Sequence, residues 1–392
     1  MKRIVLKFGG TSVADASGRQ AVADIIQKTK REYEEQIVVV SAMGRQGAPY
    51  ATDTLLEMFG KGRELPQNRE QDMIYACGEI ISGSVLSQEL RERGISNVFL
   101  TGAQAGIETD AHFSDANIVT IHTEKITDWL KRGYVVIVAG GQGVAANGDI
   151  TAIGRGGSDT TACAIGYYVQ ADAVHIYTDV DGIYTGDPRL IPRAKKIPYM
   201  AYGQCRKLAE YGAKVIHPNA VSYSELGHKN VLSVRSTFVK GTGTSIGDYD
   251  ACWNGITGLR NLLVFATPHK EDDNLARTLE RHHIKPRFIC ADGAHIHYGI
   301  DTEWAGMENI PTGQILDVIF IVGPGVTVGK IQEMFGKKIG HDIYQLSDDS
   351  VAVAVAPEQY EPLLNELHDG ICLYQSVTAL EKTHLAEGRM IE

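Results

Sequence analysis

The first 235 residues alternate short apolar runs with longer helical patterns. Strand-like runs occur at 4–8, 36–40, 98–101, 135–139 and 173–178, and helical patterns occur near 17–33, 52–60 and 69–93. This alternation predicts βαβ units, in which parallel strands form a sheet that helices cover on both faces. We therefore predict an α/β fold with a mainly parallel sheet, and we expect ligands to bind where the parallel strands end.

The chain is long enough for two or three domains, because it has 392 residues. A cluster of glycines and hydroxyl residues at 239–248, VKGTGTSIGD, is typical of a linker. Beyond it, shorter elements repeat a β-α-β-β order at 261–267, 272–283, 288–290, 295–300, 318–322, 326–338 and 351–355. We predict one domain over 1–237 and a C-terminal α+β region of two compact modules over 248–392.

Charge and composition argue against several classes of protein. The net charge of -10 disfavours a general nucleic-acid or anionic-membrane binder, since both need a positive field. No apolar run approaches the roughly 20 residues of a membrane span, and the first residues lack a secretory pattern, so we expect a cytoplasmic protein without membrane partners. Six scattered cysteines without a CxxC pair predict reduced thiols, and we predict no protein-built metal site.

The segment KFGGTS at 7–12 follows directly from the first strand candidate. Gly9 and Gly10 allow backbone N–H groups to approach an anion, and Lys7 supplies a full positive charge. Thr11 and Ser12 can cap the helix that follows, whose N-terminus favours anions. The segment therefore predicts a phosphate site, although an ordinary strand-to-helix turn with a surface lysine fits the same residues.

A second glycine cluster, GRGGSDTT at 154–161, precedes an Ala-rich helix candidate at 162–169. Ser158 and Asp159 are favourable helix caps, and the planar guanidinium of Arg155 suits a carboxylate or a phosphate. The alternative is a capped helix with a solvated arginine. Because two such loops, each with a cation, occur in one predicted domain, an anion-binding cleft is the better interpretation.

A third block, YTDVDGIYTGDPR at 177–189, follows the strand candidate at 173–178 with acids, turn residues and tyrosines. Its Asp-Gly and Asp-Pro pairs form turns by themselves. The block can also present carbonyls and an aromatic face to a nucleobase, with Arg189 near phosphates. Further on, Lys214 follows a glycine in GAKVIHP at 212–218, where it is either another phosphate ligand or a surface side chain.

Taken together, these motifs resemble the aspartate kinases of the amino acid kinase superfamily. The resemblance covers residues 1 to about 236, in matching order and spacing. It is carried by KFGGTS (7–12), VVSAMG (39–44) with Thr52 and Asp53 downstream, Gly78 with Glu79 and Ser82, TGAQAGIETD (101–110), GRGGSDTTA (154–162), YTDVDGIYTGDPR (177–189) and GAKVIHP (212–218). It implies a three-layer α/β/α sandwich, ATP with Mg²⁺, and phosphorylation of the side-chain carboxylate of L-aspartate to 4-phospho-L-aspartate, the first step of aspartate-family amino acid biosynthesis.

The implied reaction needs charge neutralisation rather than a general base, because a carboxylate with a pKa near 3.9 is already ionised at pH 7. Its two reacting anions repel each other, so cations and N–H groups must converge on them. By resemblance, the phosphoryl group is expected to contact Lys7, Gly9 and Gly10, with Asp159 organising Lys7. The substrate residues implied are Ser41, Thr52, Glu79, Arg155 and Ser158, with Arg155 on the α-carboxylate and Glu79 on the ammonium. The nucleotide residues implied are Thr178, Asp179, Tyr184, Arg189 and Lys214.

The C-terminal region resembles paired ACT regulatory modules at 256–267 and 318–335. The segment GHDIYQLSDDS at 340–350 departs from the family where an effector-binding strand and loop are usual, so regulation by lysine or threonine is doubtful. The modules are expected to form a homodimer or a higher homo-oligomer, and to bind another effector or none.

Three alternatives remain open at this point. One is an aspartate kinase that serves a specialised pathway, and another is a kinase for a different small acid or nucleotide. Glu79 argues against the second, because an acid aimed at an ammonium suits an unblocked amino acid. The third is a non-catalytic ACT-type amino-acid sensor, which Lys7, Arg155 and Asp159 argue against.

Overall fold

The computed structural model describes residues 1–58, 69–227, 231–250, 252–270, 272–336 and 342–372. The chain divides into two compact units. The first comprises Met1–Ile183 and Val215–Tyr249, and the second comprises Tyr184–Lys214 and Asp250–Glu392. The segment Tyr184–Lys214 thus belongs to the second unit, although it lies within the predicted domain 1–237, and the predicted domain limits stay a prediction.

The strands and helices of the described residues follow in chain order. The strands are β1 (Arg3–Phe8), β2 (Glu35–Val40), β3 (Asn97–Leu100), β4 (Ile107–Thr109), β5 (Ile118–Ile121), β6 (Val135–Ala139), β7 (Gln142–Ala145), β8 (Ile150–Ala152), β9 (Ala173–Thr178), β10 (Tyr199–Ala201), β11 (Val231–Ser236), β12 (Thr244–Gly247), β13 (Gly255–Pro268), β14 (Phe288–Ala291), β15 (His295–Asp301), β16 (Gln314–Val322), β17 (Ile343–Ser347) and β18 (Ser350–Val355). The helices are α1 (Gly10–Val13), α2 (Ala16–Thr29), α3 (Thr52–Glu57), α4 (Arg69–Glu92), α5 (Glu124–Lys131), α6 (Gly157–Tyr168), α7 (Tyr202–Glu210), α8 (Pro218–Leu226), α9 (Asp272–Arg281), α10 (Val328–Phe335) and α11 (Tyr360–Leu367).

The first unit is built on a mainly parallel sheet, which confirms the predicted fold class. Its strands lie side by side in the order β12-β11-β9-β1-β2-β6-β3, and only β11 and β12 pair antiparallel. A smaller sheet has the order β5-β4-β7-β8. Strand β1 is central, because Lys7 lies opposite Ile176 of β9 on one side and Val39 of β2 on the other.

Helices cover both faces of the parallel sheet. Ile4, Leu6 and Phe8 of β1 form a buried core with residues of α2 and α4, such as Ile26 and Leu86. Because successive strand side chains alternate between faces, the remaining side chains of β1 point the other way. That face is covered by α6, which contacts β1, β2 and β9 and is almost entirely buried.

The second unit contains an antiparallel sheet in the order β14-β15-β13-β16-β18-β17. The predicted β-α-β-β order is present twice, and the two sets of strands share one sheet because β13 pairs with β16. Phe265 packs with α9 on one face, and Ile321 packs with α11. On the opposite face, Tyr211 stacks on Phe320 with ring centroids 4.7 Å apart, so the segment Tyr184–Lys214 contributes to this core.

The linker predicted at 239–248 is wrong for its second half. Thr244–Gly247 forms β12, where Thr244 and Ile246 are buried and Ile246 lies opposite Leu232 of β11. Gly243 has φ +72°, and a Cβ there would lie 1.9 Å from the carbonyl oxygen of Val234. Gly243 therefore makes the close turn that leads into β12, and this part of the stretch belongs to the sheet.

Other predicted elements are confirmed, most of them within a few residues of their ends. The elements that were not predicted are β4, β5, β7, β8, β10, β11, β17, α5, α7, α8 and α11. The helix ends predicted at 59–60 and 337–338 lie outside the described residues, as do Gly340 and His341 of the divergent segment. All six cysteines are free thiols, as predicted. Within the described ranges, no helix has both the length and the apolar character needed to cross a membrane.

Candidate active site

The predicted phosphate and substrate residues of the first unit gather at the carboxyl ends of β1, β2 and β6. This is the edge where a parallel sheet is expected to bind its ligands. Four elements contribute to it: the end of β1, the loop after β2, the glycine pair after β6 and the N-terminal turn of α6. They are described below one by one.

Lys7 and Asp159 form a buried ion pair between β1 and α6. Lys7 lies on the β1 face that α6 covers, and its Nζ is 2.6 Å from Asp159 Oδ1. Both side chains are nearly buried, with 11% and 12% of their surface exposed. Asp159 Oδ1, the oxygen that the Lys7 ammonium contacts, is fully enclosed. The pair therefore holds a lysine charge and a carboxylate together at the strand end.

The two glycines after Lys7 have different structural requirements. A Cβ on Gly10 would lie 2.6 Å from the carbonyl oxygens of both Ala42 and Gly44, so only glycine fits there. A Cβ on Gly9 would meet its neighbours at ordinary distances of 3.6 Å or more. The N–H of Gly9, one of the groups predicted to face the phosphoryl group, donates to the carbonyl oxygen of Tyr177 at 3.0 Å and is engaged in the fold.

Glu79 lies on α4 and is 1% exposed. Its Oε1 accepts a 3.3 Å hydrogen bond from the N–H of Ala42, and its Oε2 has no partner among the described residues. Burial raises the pKa of this carboxyl to about 8, while backbone hydrogen bonds oppose the shift. An ammonium group placed beside Oε2 would compensate the buried charge, which fits the role that the resemblance implies.

Close packing brings Ser41 and Thr52 to the same region as Glu79. Ser41 follows β2 and donates its N–H to the carbonyl oxygen of Phe8 at 3.2 Å, and Thr52 is the first residue of α3. A Cβ on Gly78, the neighbour of Glu79, would lie 2.7 Å from the Ala42 Cβ and 3.2 Å from Leu55 of α3. The glycine at 78 therefore allows α4 to approach both the loop after β2 and α3.

The N-terminal turn of α6 packs on a glycine pair after β6. A Cβ on Gly140 would lie 2.8 Å from Ser158 Oγ, and a Cβ on Gly157 would lie 2.8 Å from the Gly141 Cα. Gly156 precedes α6 with φ +67°, a left-handed conformation that favours glycine. Ser158 is thus held at the strand edge, whereas Arg155 is exposed and makes no ion pair with any described residue.

Two residues of this region were not predicted. The hydroxyl of Tyr75 lies 2.6 Å from the position that a Cβ on Gly141 would occupy. Its pKa is raised by burial and then by the nearby carboxylates of Glu79, Asp72 and Asp159. Tyr75 lies one helical turn before Glu79 on α4, and residues four apart on a helix lie on the same face. This i, i+4 spacing was the sequence signal from which Tyr75 could have been placed beside Glu79.

The other is Arg45, five residues after β2. Its Nη2 is 2.5 Å from Asp179 Oδ2, and Asp179 Oδ1 accepts a 3.0 Å hydrogen bond from Thr178 Oγ1. Thr178 is the last residue of β9, so both predicted nucleotide residues of the first unit lie at a strand end. No short motif contained this contact, because 134 residues separate its two partners.

The other three predicted nucleotide residues lie in the second unit. Arg189 binds the carboxylate of Asp187 through Nε and Nη2, at 2.9 and 2.6 Å. This pairing, followed by the more distant Lys214, lowers the pKa of Asp187 against the effect of burial. Lys214 is exposed, and Tyr184 is half-buried with its backbone paired to Lys196.

The residues of the first unit fit a nucleotide-bound Mg²⁺ ion better than a protein-built metal centre. In the part of the chain that the structure describes, no group of three or more His, Cys, Asp or Glu side chains is arranged to hold a metal. Mg²⁺ that acts with ATP is usually held by phosphate oxygens and only one or two carboxylates. Asp159, at the start of α6 beside the carboxyl end of β1, supplies one such carboxylate.

Comparison with known proteins agrees with this geometry. Residues 2–232 match the amino acid kinase family. Aspartokinase 2 of Bacillus subtilis (strain 168) is 32% identical to this chain, over an alignment that covers 97% of this chain and 100% of the relative. The chain belongs to the aspartokinases of the amino acid kinase family. Aspartokinase 1 of the same strain is 40% identical over 280 residues, which cover 69% of each chain.

A solved structure shows that the likeness in fold extends beyond the kinase-like part. The crystal structure of E. coli aspartokinase III in complex with aspartate and ADP superposes with a TM-score of 0.77, at 22% identity. The superposition covers 94% of this chain and 99% of that one. The family assignment therefore confirms the resemblance seen in the sequence, and the second unit shares the fold of an aspartokinase C-terminal region.

Proposed function

We propose that this chain is an aspartate kinase that transfers the γ-phosphoryl group of ATP to the side-chain carboxylate of L-aspartate. The observation that carries this proposal is the buried Lys7–Asp159 pair at the carboxyl end of β1, beside the glycines of the loop that follows. Membership of the aspartokinases supports the same activity. The relative solved with aspartate and ADP supports ATP as the phosphoryl donor.

In the proposed reaction, a carboxylate oxygen of aspartate attacks the γ-phosphorus. The bond from phosphorus to the bridging β–γ oxygen breaks, and ADP leaves with that electron pair. No proton needs to be removed, because the attacking carboxylate is ionised at pH 7. Lys7 stabilises the negative charge on the phosphoryl oxygens, and Asp159 holds the Lys7 ammonium at the strand end. Bound Mg²⁺ would neutralise further phosphate charge, with Asp159 as its protein ligand.

The substrate is proposed to bind beside α4. Glu79 receives the ammonium group, and its ionisation is then favoured by the new positive charge. Arg155 binds the α-carboxylate, and Ser41, Thr52 and Ser158 complete the pocket. On the nucleotide side, the proposed contacts remain Thr178, Asp179, Tyr184, Arg189 and Lys214. This role of Glu79 predicts that an N-acylated amino acid or a nucleotide is a poor substrate, since neither presents a free ammonium.

The test is a substrate panel with the purified chain. Hydroxylamine traps the acyl phosphate, so ATP and L-aspartate should give a hydroxamate. Release of ADP compares the whole panel, and it should be at least about 100-fold slower with glutamate, N-acetylglutamate or UMP. Lys7→Met should abolish the hydroxamate while the chain remains folded by circular dichroism. A folded wild-type chain that forms no aspartyl hydroxamate, or that prefers another acid on the panel, would overturn the proposal.

Assembly and regulation form a separate part of the proposal. We propose that the second unit, as an ACT-like region, joins copies of the chain into a homodimer or a larger homo-oligomer. Light scattering of the purified chain tests this, and a monomer at all concentrations would contradict it. Repeating the kinase assay with lysine, threonine and methionine would identify an effector, and we expect no inhibition by lysine or threonine because 340–350 departs from the family pattern.

A further inference from the structure

Arg45 is held across the end of the central strand. It follows β2, whereas Asp179, its ion-pair partner, follows β9. Strand β1 lies between β2 and β9, and neighbouring strands are spaced about 5 Å apart. An ion pair that connects the loops on either side of β1 must therefore pass over the end of β1, where Gly9 and Gly10 begin the next helix.

Backbone contacts show that both loops are close to the two glycines. On the β2 side, the N–H of Gly44, next to Arg45, donates to the carbonyl oxygen of Gly10 at 3.0 Å. On the β9 side, the carbonyl oxygen of Tyr177 accepts the N–H of Gly9 at 3.0 Å. Both ends of the Arg45–Asp179 bridge are thus anchored within a few residues of the predicted phosphoryl site.

The bridge is exposed and adds little to folding stability. The side chains of Arg45 and Asp179 are 66% and 42% exposed, and exposed ion pairs are among the weakest contributors to stability. The guanidinium remains on the solvent side, where a nucleotide can reach it. A planar guanidinium is also well suited to bind two phosphate oxygens at once.

The charge balance of the site favours a further cation when ATP is bound. The Lys7 charge is already balanced by Asp159 in the buried pair, and ATP brings several negative charges. We propose that Arg45 contacts the phosphate groups of the nucleotide during transfer, and that Asp179 positions it there. This inference rests on the proposed kinase function, and it refines the proposed role of Asp179, which serves the nucleotide side by holding an arginine.

The test measures nucleotide binding and kinase rates in matched variants. Arg45→Ala should weaken binding of the β,γ-imido analogue of ATP about tenfold and raise the KM for ATP by a similar factor. The KM for aspartate should stay within about twofold, and the Tm should shift by less than about 2 °C. Arg45→Lys should recover part of the loss, and Asp179→Asn should give a smaller loss than Arg45→Ala.

The matched control is Arg93→Ala. Arg93 forms another surface ion pair of the first unit, with Nη1 2.8 Å from Asp24 Oδ1, but it follows α4 shortly before β3 begins. It therefore lies towards the amino ends of the strands, and its loss should leave nucleotide binding within about twofold. Equal behaviour of Arg45→Ala and Arg93→Ala, or a rise in the KM for aspartate alone, would overturn the proposal. The binding measurement tests Arg45 even if the wild-type chain fails to phosphorylate aspartate.

Discussion

Two buried carboxylates, one from each unit, differ in how completely their oxygens are hydrogen-bonded. Glu79 in the first unit and Asp317 in the second are each 1% exposed. Asp317 accepts the N–H of Asn261 at 2.8 Å and a guanidinium N–H of Arg260 at 3.1 Å, one on each oxygen. Glu79 has one long backbone contact, and its second oxygen has no partner among the described residues.

The difference separates a structural acid from a functional one. A buried acid whose hydrogen bonds are complete stabilises a fold, whereas one with an empty oxygen is costly unless a ligand compensates it. Asp159 differs from Glu79, because its buried charge is compensated by the Lys7 ammonium. Glu79 is therefore the buried acid that a ligand would complete. The predictions below test this contrast, in order of decreasing effect.

The largest effect is expected at the Lys7–Asp159 pair. Lys7→Met should lower kcat about 1000-fold, equivalent to about 4 kcal/mol, because it removes the cation closest to the phosphoryl group. It should also destabilise the first unit, since Asp159 is left buried without its partner.

A second variant separates these two effects of Lys7. Lys7→Met combined with Asp159→Asn removes both charges and should recover most of the lost stability without recovering activity. Denaturant unfolding and the hydroxamate assay measure the two quantities. A double variant that regains activity would show that the Lys7–Asp159 pair is only structural, as the Asp317 carboxylate is.

Loss of Asp317 should lower the stability of the second unit, because this carboxylate has a structural role. Asp317→Ala should destabilise the second unit by about 3 kcal/mol, because it leaves the Asn261 N–H without its partner and removes the ion pair with Arg260. In a Trp129→Phe background, fluorescence reports on Trp253 and Trp304, which both lie in the second unit. Asp317→Asn, which keeps an acceptor oxygen, should lose less. An unfolding midpoint equal to that of the background protein would contradict the structural role.

Glu79 should make stability depend on pH. Its pKa is raised in the folded state, so the folded chain binds more protons than the unfolded chain between the unfolded pKa and about pH 8. The contribution of Glu79 to the free energy of unfolding is fully present below the pKa of the unfolded state. It is lost as the pH rises from that value towards the folded pKa of about 8. Between pH 6 and pH 8 the wild type should lose about 2–3 kcal/mol that Glu79→Gln retains. If the free energy of unfolding depends on pH in the same way in the wild type and in Glu79→Gln, the charge of Glu79 is not uncompensated in the folded chain.

The smallest effect is expected from the two glycines after Lys7. Gly10→Ala should cost about 1–3 kcal/mol, because its Cβ would overlap two backbone carbonyl oxygens that cannot easily move. Gly9→Ala meets only ordinary contacts and should change stability by less than about 1 kcal/mol. Thermal unfolding compares the two. A larger loss of stability in Gly9→Ala than in Gly10→Ala would mean that steric overlap of the added Cβ does not explain why glycine stands at these positions.

The sequence predicted the parallel sheet because strands buried on both faces leave continuous apolar runs, as in 36–40. It also predicted Lys7 and Asp159, because glycine-rich loops at strand ends are visible in short motifs. Arg45 and Tyr75 were missed because their contacts, with Asp179 and Gly141, join residues far apart in the chain.

Two further features of the fold depend on tertiary contacts, which local sequence patterns do not contain. The stretch 239–248 is rich in glycine, so its composition indicated a linker, yet pairing with β11 makes half of it a strand. The assignment of Tyr184–Lys214 to the second unit follows from packing such as that of Tyr211 on Phe320. Such tertiary contacts override local composition.

The most direct test of the contrast is the proton balance of aspartate binding. Glu79 with a pKa of about 8 is mostly protonated at pH 7, and a substrate ammonium beside Oε2 should drive its ionisation. Calorimetric titrations with L-aspartate, in buffers of different ionisation enthalpy, should therefore show release of about one proton per site in the wild type. Glu79→Gln should show none. Binding without proton release in the wild type would contradict the assignment of Glu79 as the acid that the first unit keeps for its substrate.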